Sequence, residues 1–146
     1  AQIAVVSHGE LARSVLGSCI GLVLQHELKR TAAVAHIVLP QGQDRPGPPG
    51  KFADTAIPEM LALLAAAGLP RPGLSPKLAG GANMFGSSGP RQIGRENHLI
   101  VTQLLQSLRI PIVAEHVGGK NGRRITFDSS TGLLQIDMAG SPSVTI

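Results

Sequence analysis

Two residues in this sequence are suited to carry chemistry, the single cysteine Cys19 and one of five histidines, His36. A lone cysteine cannot form an internal disulfide, so Cys19 is either a small buried apolar residue or a reactive thiol. A histidine beside it can accept the thiol proton and hold a thiolate, which lowers the pKa of the cysteine. Such a thiolate attacks carbonyl carbon, the first step of cysteine-hydrolase chemistry.

The spacing of the two residues brings them together if they lie on a hairpin. Residues 20–25 and 33–39 have the apolar character of strands, and a turn around residues 27–28 would set Cys19 directly opposite His36. Directly opposed residues of an antiparallel pair project from the same face, with Cβ atoms about 4.5–5.5 Å apart. The prediction depends on the register, because a slip of one residue separates the two faces. The alternative is that both residues belong to the core, with the ring nitrogens of the histidine satisfied.

Other chemistries fit the sequence less well. A cysteine phosphatase requires an arginine six residues after its nucleophile, and that position holds Gln25. Residues 81–88 have the glycine spacing of a phosphate-binding loop, but Ser87 stands where that loop requires lysine. The remaining histidines lack the paired spacing of metal ligands; they are His8, His26, His98 and His116. We therefore expect neither a cofactor nor a metal ion.

The rest of the sequence predicts the elements that must position this pair. Apolar residues at helical spacing predict helices over residues 52–67, ending at Gly68, and 95–108, and a Pro- and Gly-rich stretch predicts a loop over residues 41–50. Apolar runs predict strands over residues 2–6, 20–25, 33–39, 77–81, 112–115, 124–128 and 133–137. Two helices interspersed with strands indicate a layered α/β or α+β fold, in one domain over residues 1–146.

Composition narrows the class of partner and the compartment. The net charge of +4 favours acidic partners, but the chain has no Trp, no Tyr and only three Phe to stack on bases, and it lacks a nucleic-acid motif. We therefore expect no nucleic acid. No stretch approaches the ~20 uncharged apolar residues of a membrane span, so we expect no membrane insertion and a cytoplasmic location.

Seven short blocks spread over nearly the whole chain carry a resemblance to a known family. The first two contain the candidate pair: residues 16–19 read Leu-Gly-Ser-Cys, and residues 36–40 read His-Ile-Val-Leu-Pro. The other five are Lys-Phe-Ala-Asp at 51–54 with Pro58, Gly-Gly-Ala-Asn-Met-Phe at 80–85, Ile-Gly-Arg-Glu-Asn at 93–97, Ile-Pro-Ile-Val-Ala-Glu at 110–115, and the stretch from Gly118-Gly119 to Phe127-Asp128. In this order and spacing they resemble the CheD family of chemoreceptor glutamine deamidases.

The resemblance implies a fold and a set of site residues. The fold is an α/β class, three-layer α/β/β sandwich with mixed sheets and two main helices, and the catalytic residues are Cys19 and His36. The family also uses a threonine five or six residues before the cysteine, where this sequence has Ser14 and Arg13. Ser14 keeps a hydroxyl that can hydrogen-bond an imidazole, although it lacks the stiffer rotamer of threonine. Ser14 is therefore the third candidate catalytic residue; the alternatives are an ordinary turn serine or a different third residue.

Two functions follow from this resemblance. One is deamidation, in which Cys19 attacks the carboxamide of a glutamine in a chemoreceptor cytoplasmic domain, and backbone amides near Gly17 and Ser18 bind the oxyanion. The other is a docking module for a CheC-type phosphatase and receptors in chemotaxis adaptation, in which Cys19 need not react. The glycine-rich segments 80–85 and 118–124 either shape a peptide groove or are simple turns.

Overall fold

The architecture is organised around a strand that is buried on both faces. The computed structural model describes residues 2–84 and 92–146, and within them the strand Ile20–His26 has six consecutive buried residues. Side chains of a strand alternate between its two faces, so burial of both faces requires a layer on each side. Leu22 and Leu24 enter one apolar cluster, whereas Val23 enters another.

Two α-helices and nine strands make up the regular structure of the described residues. The helices are α1 (Ala53–Ala66) and α2 (Ile93–Ser107). The strands are β1 (Ile3–Ser7), β2 (Leu11–Leu16), β3 (Ile20–His26), β4 (Thr31–Ile37), β5 (Leu74–Gly80), β6 (Ala114–Val117), β7 (Arg123–Asp128), β8 (Leu133–Asp137) and β9 (Val144–Thr145). Single 3-10 turns occur at Glu27–Lys29 and Pro49–Lys51.

The strands form two sheets of different type. The first has the order β1-β4-β3-β5-β6 and is mixed, because β5 and β6 pair in parallel while its other pairs are antiparallel. The second has the order β2-β7-β8-β9, and all its pairs are antiparallel. The prediction of mixed sheets is therefore correct for the first sheet and wrong for the second.

The layers follow the predicted α/β/β order. One apolar cluster lies between the helices and the first sheet, with Met60 of α1 and Val101 of α2 against Leu22 and its neighbours. The other cluster lies between the two sheets, and Phe127 and Ile136 are among its buried residues from the second sheet. The first sheet is thus the middle layer, with the helices against one face and the second sheet against the other.

The predicted helices are confirmed with small changes at their ends. Gly68 ends α1 as expected: it adopts a φ of +83°, its amide donates to Ala65 O, and the amide of Leu69 donates to Leu64 O. These two bonds satisfy carbonyls that the end of a helix leaves free. No helix among residues 2–84 and 92–146 is both long and apolar enough to cross a bilayer.

Two strands were not predicted, and one of them matters for the site. In β2 the outward residues Leu11 and Val15 are apolar, while the inward residues include Ala12 and Ser14. Apolar residues therefore occur on both faces of β2, so the alternation by which a half-buried strand is recognised is lost. The other, β9, has only two residues. Strand β5 begins at Leu74, earlier than predicted, and so includes Pro76, a residue type that is unusual inside a strand because it lacks the amide hydrogen.

Candidate active site

The hairpin of β3 and β4 sets His36 opposite Gly21, not opposite Cys19. The predicted register was wrong by two residues. The strands are joined by the four residues 27–30, which form a 3-10 turn followed by Arg30 at a φ of 48°, whereas the prediction assumed a two-residue turn. A shift of two residues, unlike a shift of one, leaves every side chain on its original face.

Cys19 and His36 consequently share the face of the first sheet that the second sheet covers. Cys19 packs against the apolar cluster between the sheets, and His36 hydrogen-bonds a residue of the second sheet. Cys19 lies two residues before Gly21, so it is a diagonal neighbour of His36 across the hairpin. Diagonal residues are about 7–8 Å apart at the backbone and less at Cβ, within reach of long side chains.

Gly21 lies where side chains of the second sheet pack closely on the backbone of the first. A Cβ atom added to it would lie 2.7 Å from Ile125 Cδ1 and 2.9 Å from Leu16 Cδ1. Both atoms are the ends of buried side chains, so an added methyl group would require these two side chains to shift. The residue opposite His36 therefore leaves room for the packing between the two sheets.

The third candidate, Ser14, meets His36 from the second sheet. Its Oγ lies 2.7 Å from His36 Nδ1, a distance typical of a strong hydrogen bond. The alternation of β2 determines this contact, because Ser14 faces inward while Arg13 is exposed. Of the two positions that precede the cysteine by five or six residues, the structure thus brings Ser14 to the histidine.

An open cleft of about 290 Å³ gives access to His36 from the side of Ser14. It lies where β1 and β2, which are edge strands of the two sheets, leave the space between the sheets uncovered. Its walls are formed by Gln2, Ala4, Ala12, Arg13, Ser14, Val34, Ala35, His36 and Ile125. Of the three candidate residues, Ser14 and His36 line the cleft and Cys19 does not.

The segment that carries the cysteine is held through its carbonyl groups. Gly17 O accepts from Ala82 N at 2.9 Å, and Cys19 O accepts from Gly81 N at 2.9 Å. Ser18 O accepts from Asn97 Nδ2 at 3.0 Å. With all three carbonyls engaged, the orientation of the peptide planes around Cys19 is fixed.

Gly80 has a strict requirement for glycine beside this segment. Its φ is +106°, and an added Cβ would lie 2.2 Å from Cys19 O. Both the backbone conformation and the space therefore exclude a side chain. This explains the glycine at the start of the block 80–85. Phe85, the last residue of that block, lies outside the described residues. Residues 86–88, which belong to the segment compared with a phosphate-binding loop, lie outside them too.

The two glycine-rich segments lie next to each other and to the cysteine. Asn83 N donates to Gly119 O at 2.8 Å, and Gly118 N donates to Gly80 O at 2.9 Å. Residues 118–122 are held in turn by the buried Arg123, whose guanidinium donates to carbonyls of that turn and to His116. Within the described residues, the first of these segments bonds to the backbone that carries Cys19, and the second bonds to the first.

Burial keeps both members of the candidate pair neutral. It raises the pKa of the Cys19 thiol above its ordinary value and lowers the pKa of His36 below its ordinary value. The lowered thiol pKa expected from a neighbouring imidazole is therefore not what the structure indicates. At neutral pH the resting site holds a thiol and an uncharged imidazole, not an ion pair.

Asn97 is the residue that the sequence reasoning missed. It is 0% exposed and donates to the carbonyls of Ser18 and Val38, which flank Cys19 and His36. A signal for it existed: Asn97, Val101 and Leu105 follow one another at intervals of four on α2, so a polar residue stands on the face that enters the core.

Metal chemistry has no ligand set in the part of the chain that the structure describes. No group of three or more His, Cys, Asp or Glu side chains there is placed to hold a metal ion. The described His98 and Glu115 contact each other at the surface, with 3.1 Å between His98 Nε2 and Glu115 Oε2.

The fold and the site together define a class: a three-layer α/β/β protein with a thiol and a hydroxyl-bound imidazole on the covered face of its middle sheet. Comparison with known proteins identifies the family within this class. A family model described as "CheD chemotactic sensory transduction" matches residues 38–138. This chain belongs to the CheD family.

Individual relatives extend the match toward the N-terminus. A "Probable chemoreceptor glutamine deamidase CheD" of Moorella thermoacetica is 44% identical over 142 residues, covering 92% of this chain and 84% of that protein. A "Chemoreceptor glutamine deamidase CheD" of Halalkalibacterium halodurans is 43% identical over 127 residues, covering 83% and 78%. A "Probable chemoreceptor glutamine deamidase CheD" of Clostridium botulinum is 39% identical over 130 residues, covering 86% and 80%.

Proposed function

We propose that this protein deamidates glutamine side chains in the cytoplasmic domains of chemoreceptors, with Cys19 as nucleophile, His36 as base and Ser14 as the residue that orients His36. The observation that carries the chemistry is the 2.7 Å contact between Ser14 Oγ and His36 Nδ1, on the same covered face as Cys19. The names of the relatives supply the substrate class. A nucleophile, a base and a third group that orients the base are the usual parts of such a site.

The proposed mechanism gives each ring nitrogen of His36 a role. If His36 Nδ1–H donates to Ser14 Oγ, the lone pair of the imidazole is at Nε2, where it can accept the thiol proton. The lowered pKa of His36 supports this role, because the ring is uncharged and able to accept a proton at neutral pH. Proton transfer accompanies attack on the substrate, since burial disfavours a thiolate in the resting site.

The reaction then proceeds in two halves. The sulfur of Cys19 bonds to the carboxamide carbon of glutamine while His36 takes the thiol proton, and a tetrahedral oxyanion forms. Its C–N bond breaks, His36 passes the proton to the departing ammonia, and a thioester remains. In the second half His36 accepts a proton from water, the hydroxide adds to the thioester and the C–S bond breaks. The departing thiolate takes the proton back from His36, and the new carboxyl group releases its remaining proton to solvent to give glutamate.

Backbone amides of the cysteine segment are the proposed oxyanion donors. The carbonyls of residues 17–19 are tied to Ala82, Asn97 and Gly81. In a trans peptide the N–H points opposite to the C=O, and these peptides are trans. The amides of Ser18 and Cys19 are therefore fixed in direction before substrate arrives, which is what stabilisation of a developing oxyanion requires.

A docking role is the second candidate, and one observation favours it. The raised pKa of Cys19 leaves the thiol protonated, which is what a structural cysteine would show. In that case the protein would act by binding receptors and a CheC-type phosphatase, as a regulatory module of chemotaxis adaptation in the cytoplasm. Turnover is the measurement that separates the two candidates.

The test compares the protein with its Cys19→Ala and Cys19→Ser variants on a glutamine-bearing chemoreceptor cytoplasmic fragment. Ammonia release and conversion of glutamine to glutamate, located by peptide mass, are followed together. Conversion by the parent and by neither variant supports the deamidase and its nucleophile. Equal conversion by a variant would exclude Cys19 as nucleophile, and binding without conversion by the parent would favour the docking module.

A further inference from the structure

Asn97 connects the two chain segments that carry the candidate pair. Its Nδ2 donates to Ser18 O at 3.0 Å and to Val38 O at 2.9 Å. Ser18 directly precedes Cys19, and Val38 follows His36 by two residues. One side chain of a helix thus bonds simultaneously to the backbone next to the nucleophile and to the backbone next to the base.

The bridge stands where the hairpin ladder ends. The last pair between β3 and β4 is Ile20 with Ile37. Beyond it the two strands take other partners: Cys19 O accepts from Gly81 N, while the amide of Val38 donates to Lys51 O at 2.9 Å. The amide group of Asn97 therefore links the strands at the level where their own hydrogen bonds stop.

The orientation of the Asn97 side chain is determined by its acceptors. Both partners are carbonyl oxygens, which accept hydrogen bonds only, so the NH₂ group must face them. Asn97 Oδ1 then points away and, among the described residues, is buried without a hydrogen-bond partner. Burial of an unsatisfied oxygen costs free energy. A purely apolar residue at this position would avoid that cost but would leave the two carbonyls unpaired.

The backbone of α2 is held close to the cysteine segment. A Cβ added to Gly94 would lie 2.4 Å from Ala82 O and 2.6 Å from Gly81 O, so the first turn of α2 lies directly on the backbone that pairs with residues 17–19. Asn97 is one turn further along the same helix. Its donors are therefore positioned by backbone packing and not by a flexible loop.

We propose that Asn97 is a positioning residue for deamidation, acting through the peptide that joins Ser18 to Cys19. By holding Ser18 O, it fixes the opposite direction of the Cys19 N–H, the proposed oxyanion donor. By holding Val38 O with the same NH₂ group, it fixes the spacing between the nucleophile segment and the strand of His36. This inference rests on the proposed function and adds to it a residue that touches neither substrate nor the reacting atoms.

Two substitutions remove the donors in different ways. Asn97→Leu has similar size and no donor. Asn97→Asp is nearly isosteric, but its carboxylate would face two carbonyl oxygens without a hydrogen to donate, and protonation would restore one donor. Both should lower kcat at neutral pH by about tenfold to a hundredfold, with KM within about twofold, because small displacements of reacting groups have effects of this size.

A pH profile separates positioning from general support of the fold. The ratio of Asn97→Asp activity to wild-type activity should rise as the pH falls, because protonation of the introduced carboxyl returns a donor while the titration of His36 affects both proteins. Val101→Ala is the matched control, since Val101 is a buried residue of the same helix that bonds to neither segment. It should lower stability and leave kcat unchanged.

The experiment measures kcat and KM on the receptor fragment for the four proteins, at a temperature where circular dichroism shows each to be folded. A lowered kcat in both Asn97 variants, a pH-dependent ratio for Asn97→Asp and a wild-type kcat in Val101→Ala support the inference. Wild-type kcat in both folded Asn97 variants, or failure of both to fold while Val101→Ala folds, overturns it and leaves the proposed function in place. Absence of turnover in the wild type overturns the proposed function and this inference with it.

Discussion

The two ends of β3 bury polar side chains in opposite ways. At the Cys19 end, the half-buried thiol and imidazole are both neutral, and the imidazole contacts the Ser14 hydroxyl, a group that can exchange a proton. Toward the His26 end, Lys77 is only 7% exposed and its Nζ donates to Gly132 O at 2.7 Å and Ile146 O at 2.9 Å. The two carbonyls have no proton to exchange, so the lysine can only tie the first sheet to the second.

Both ends also border an open space, which makes the contrast sharper. A cavity of about 190 Å³ lies against Lys77 and Gln25, and the cleft of about 290 Å³ lies against His36. Burial lowers the pKa of Lys77 as it does that of His36, although Glu27 opposes the effect at Lys77. Lys77 and His36 therefore share a neighbouring cavity and a lowered pKa, and they differ in whether a bonded group can exchange a proton. We take that difference, and not the cavity or the pKa, as the mark of a candidate reactive site.

The largest expected effect is at the Cys19 end. Cys19→Ala should lower kcat by at least about ten-thousand-fold, because it removes the nucleophile, as in other enzymes that form covalent intermediates. The free energy of unfolding should change by less than about 1 kcal/mol, since the thiol is only half buried. Turnover of the receptor fragment and chemical denaturation measure the two effects. Appreciable turnover by Cys19→Ala would show that the Cys19 end of β3 is no more reactive than the Lys77 end.

Ser14→Ala should have the next largest effect on rate. The hydroxyl holds the imidazole at Nδ1, so its loss should lower kcat by about tenfold to a hundredfold through misorientation of His36. Ser14→Thr keeps the hydroxyl and restricts its rotamer, and it should retain wild-type activity or exceed it. Steady-state kinetics of both variants provide the check; equal losses in the two would assign Ser14 to packing alone.

Lys77→Met should show the reverse pattern. Two carbonyl oxygens lose their donor, so the free energy of unfolding should fall by about 1–3 kcal/mol. The kcat of the folded protein should be unchanged, because Lys77 lies away from the cysteine segment. Denaturant unfolding and turnover at low temperature measure the two quantities, with the exposed Lys29→Met as the matched control. A loss of kcat would show that the two ends are coupled.

The smallest expected effects are on the pH dependence of kcat/KM and of Cys19 alkylation, which test whether the pair at the Cys19 end is neutral. The proposed mechanism requires uncharged His36, and burial lowers the pKa of this residue, so the acid limb of kcat/KM should fall below the ordinary histidine value of 6.5. Burial raises the pKa of Cys19, so its alkylation by iodoacetamide should be slower than that of free cysteine at pH 7 and should increase up to pH values above the ordinary thiol pKa of 9.0. An acid limb above 6.5 would contradict the neutral resting pair.

The layered architecture and most of the helices and strands could be predicted from the sequence, but the geometry of the candidate site could not. The continuous apolar run of β3 and the helical spacing in α2 were readable because burial repeats along those segments. The register of the β3–β4 hairpin could not be predicted in this way. It depends on the left-handed conformation of Arg30, which the residue type did not indicate. The inference that Cys19 and His36 share a face was kept only because the error was an even number of residues.

The contacts that complete the site arise from long-range packing. Ser14 comes to His36 from β2, a strand that carries the apolar Leu11 and Val15 on its outward face, so its pattern did not resemble that of a half-buried strand. Asn97 reaches Ser18 from a helix 79 residues away in sequence. Family resemblance drew attention to Ser14, whereas nothing in the spacing of Asn97 indicated which carbonyls it would bind.

The neutral resting pair also has a consequence for oxidative damage. Peroxides react with the thiolate and carry it toward sulfenic and then irreversible sulfinic acid, while the protonated thiol is a poor target. Burial raises the pKa of Cys19, so the resting thiol stays protonated. In the proposed mechanism the thiol loses its proton only during attack on a carboxamide, which would restrict its exposure to oxidants to the moments of turnover. The same burial that slows formation of the thiolate thus protects the only sulfhydryl group of the chain.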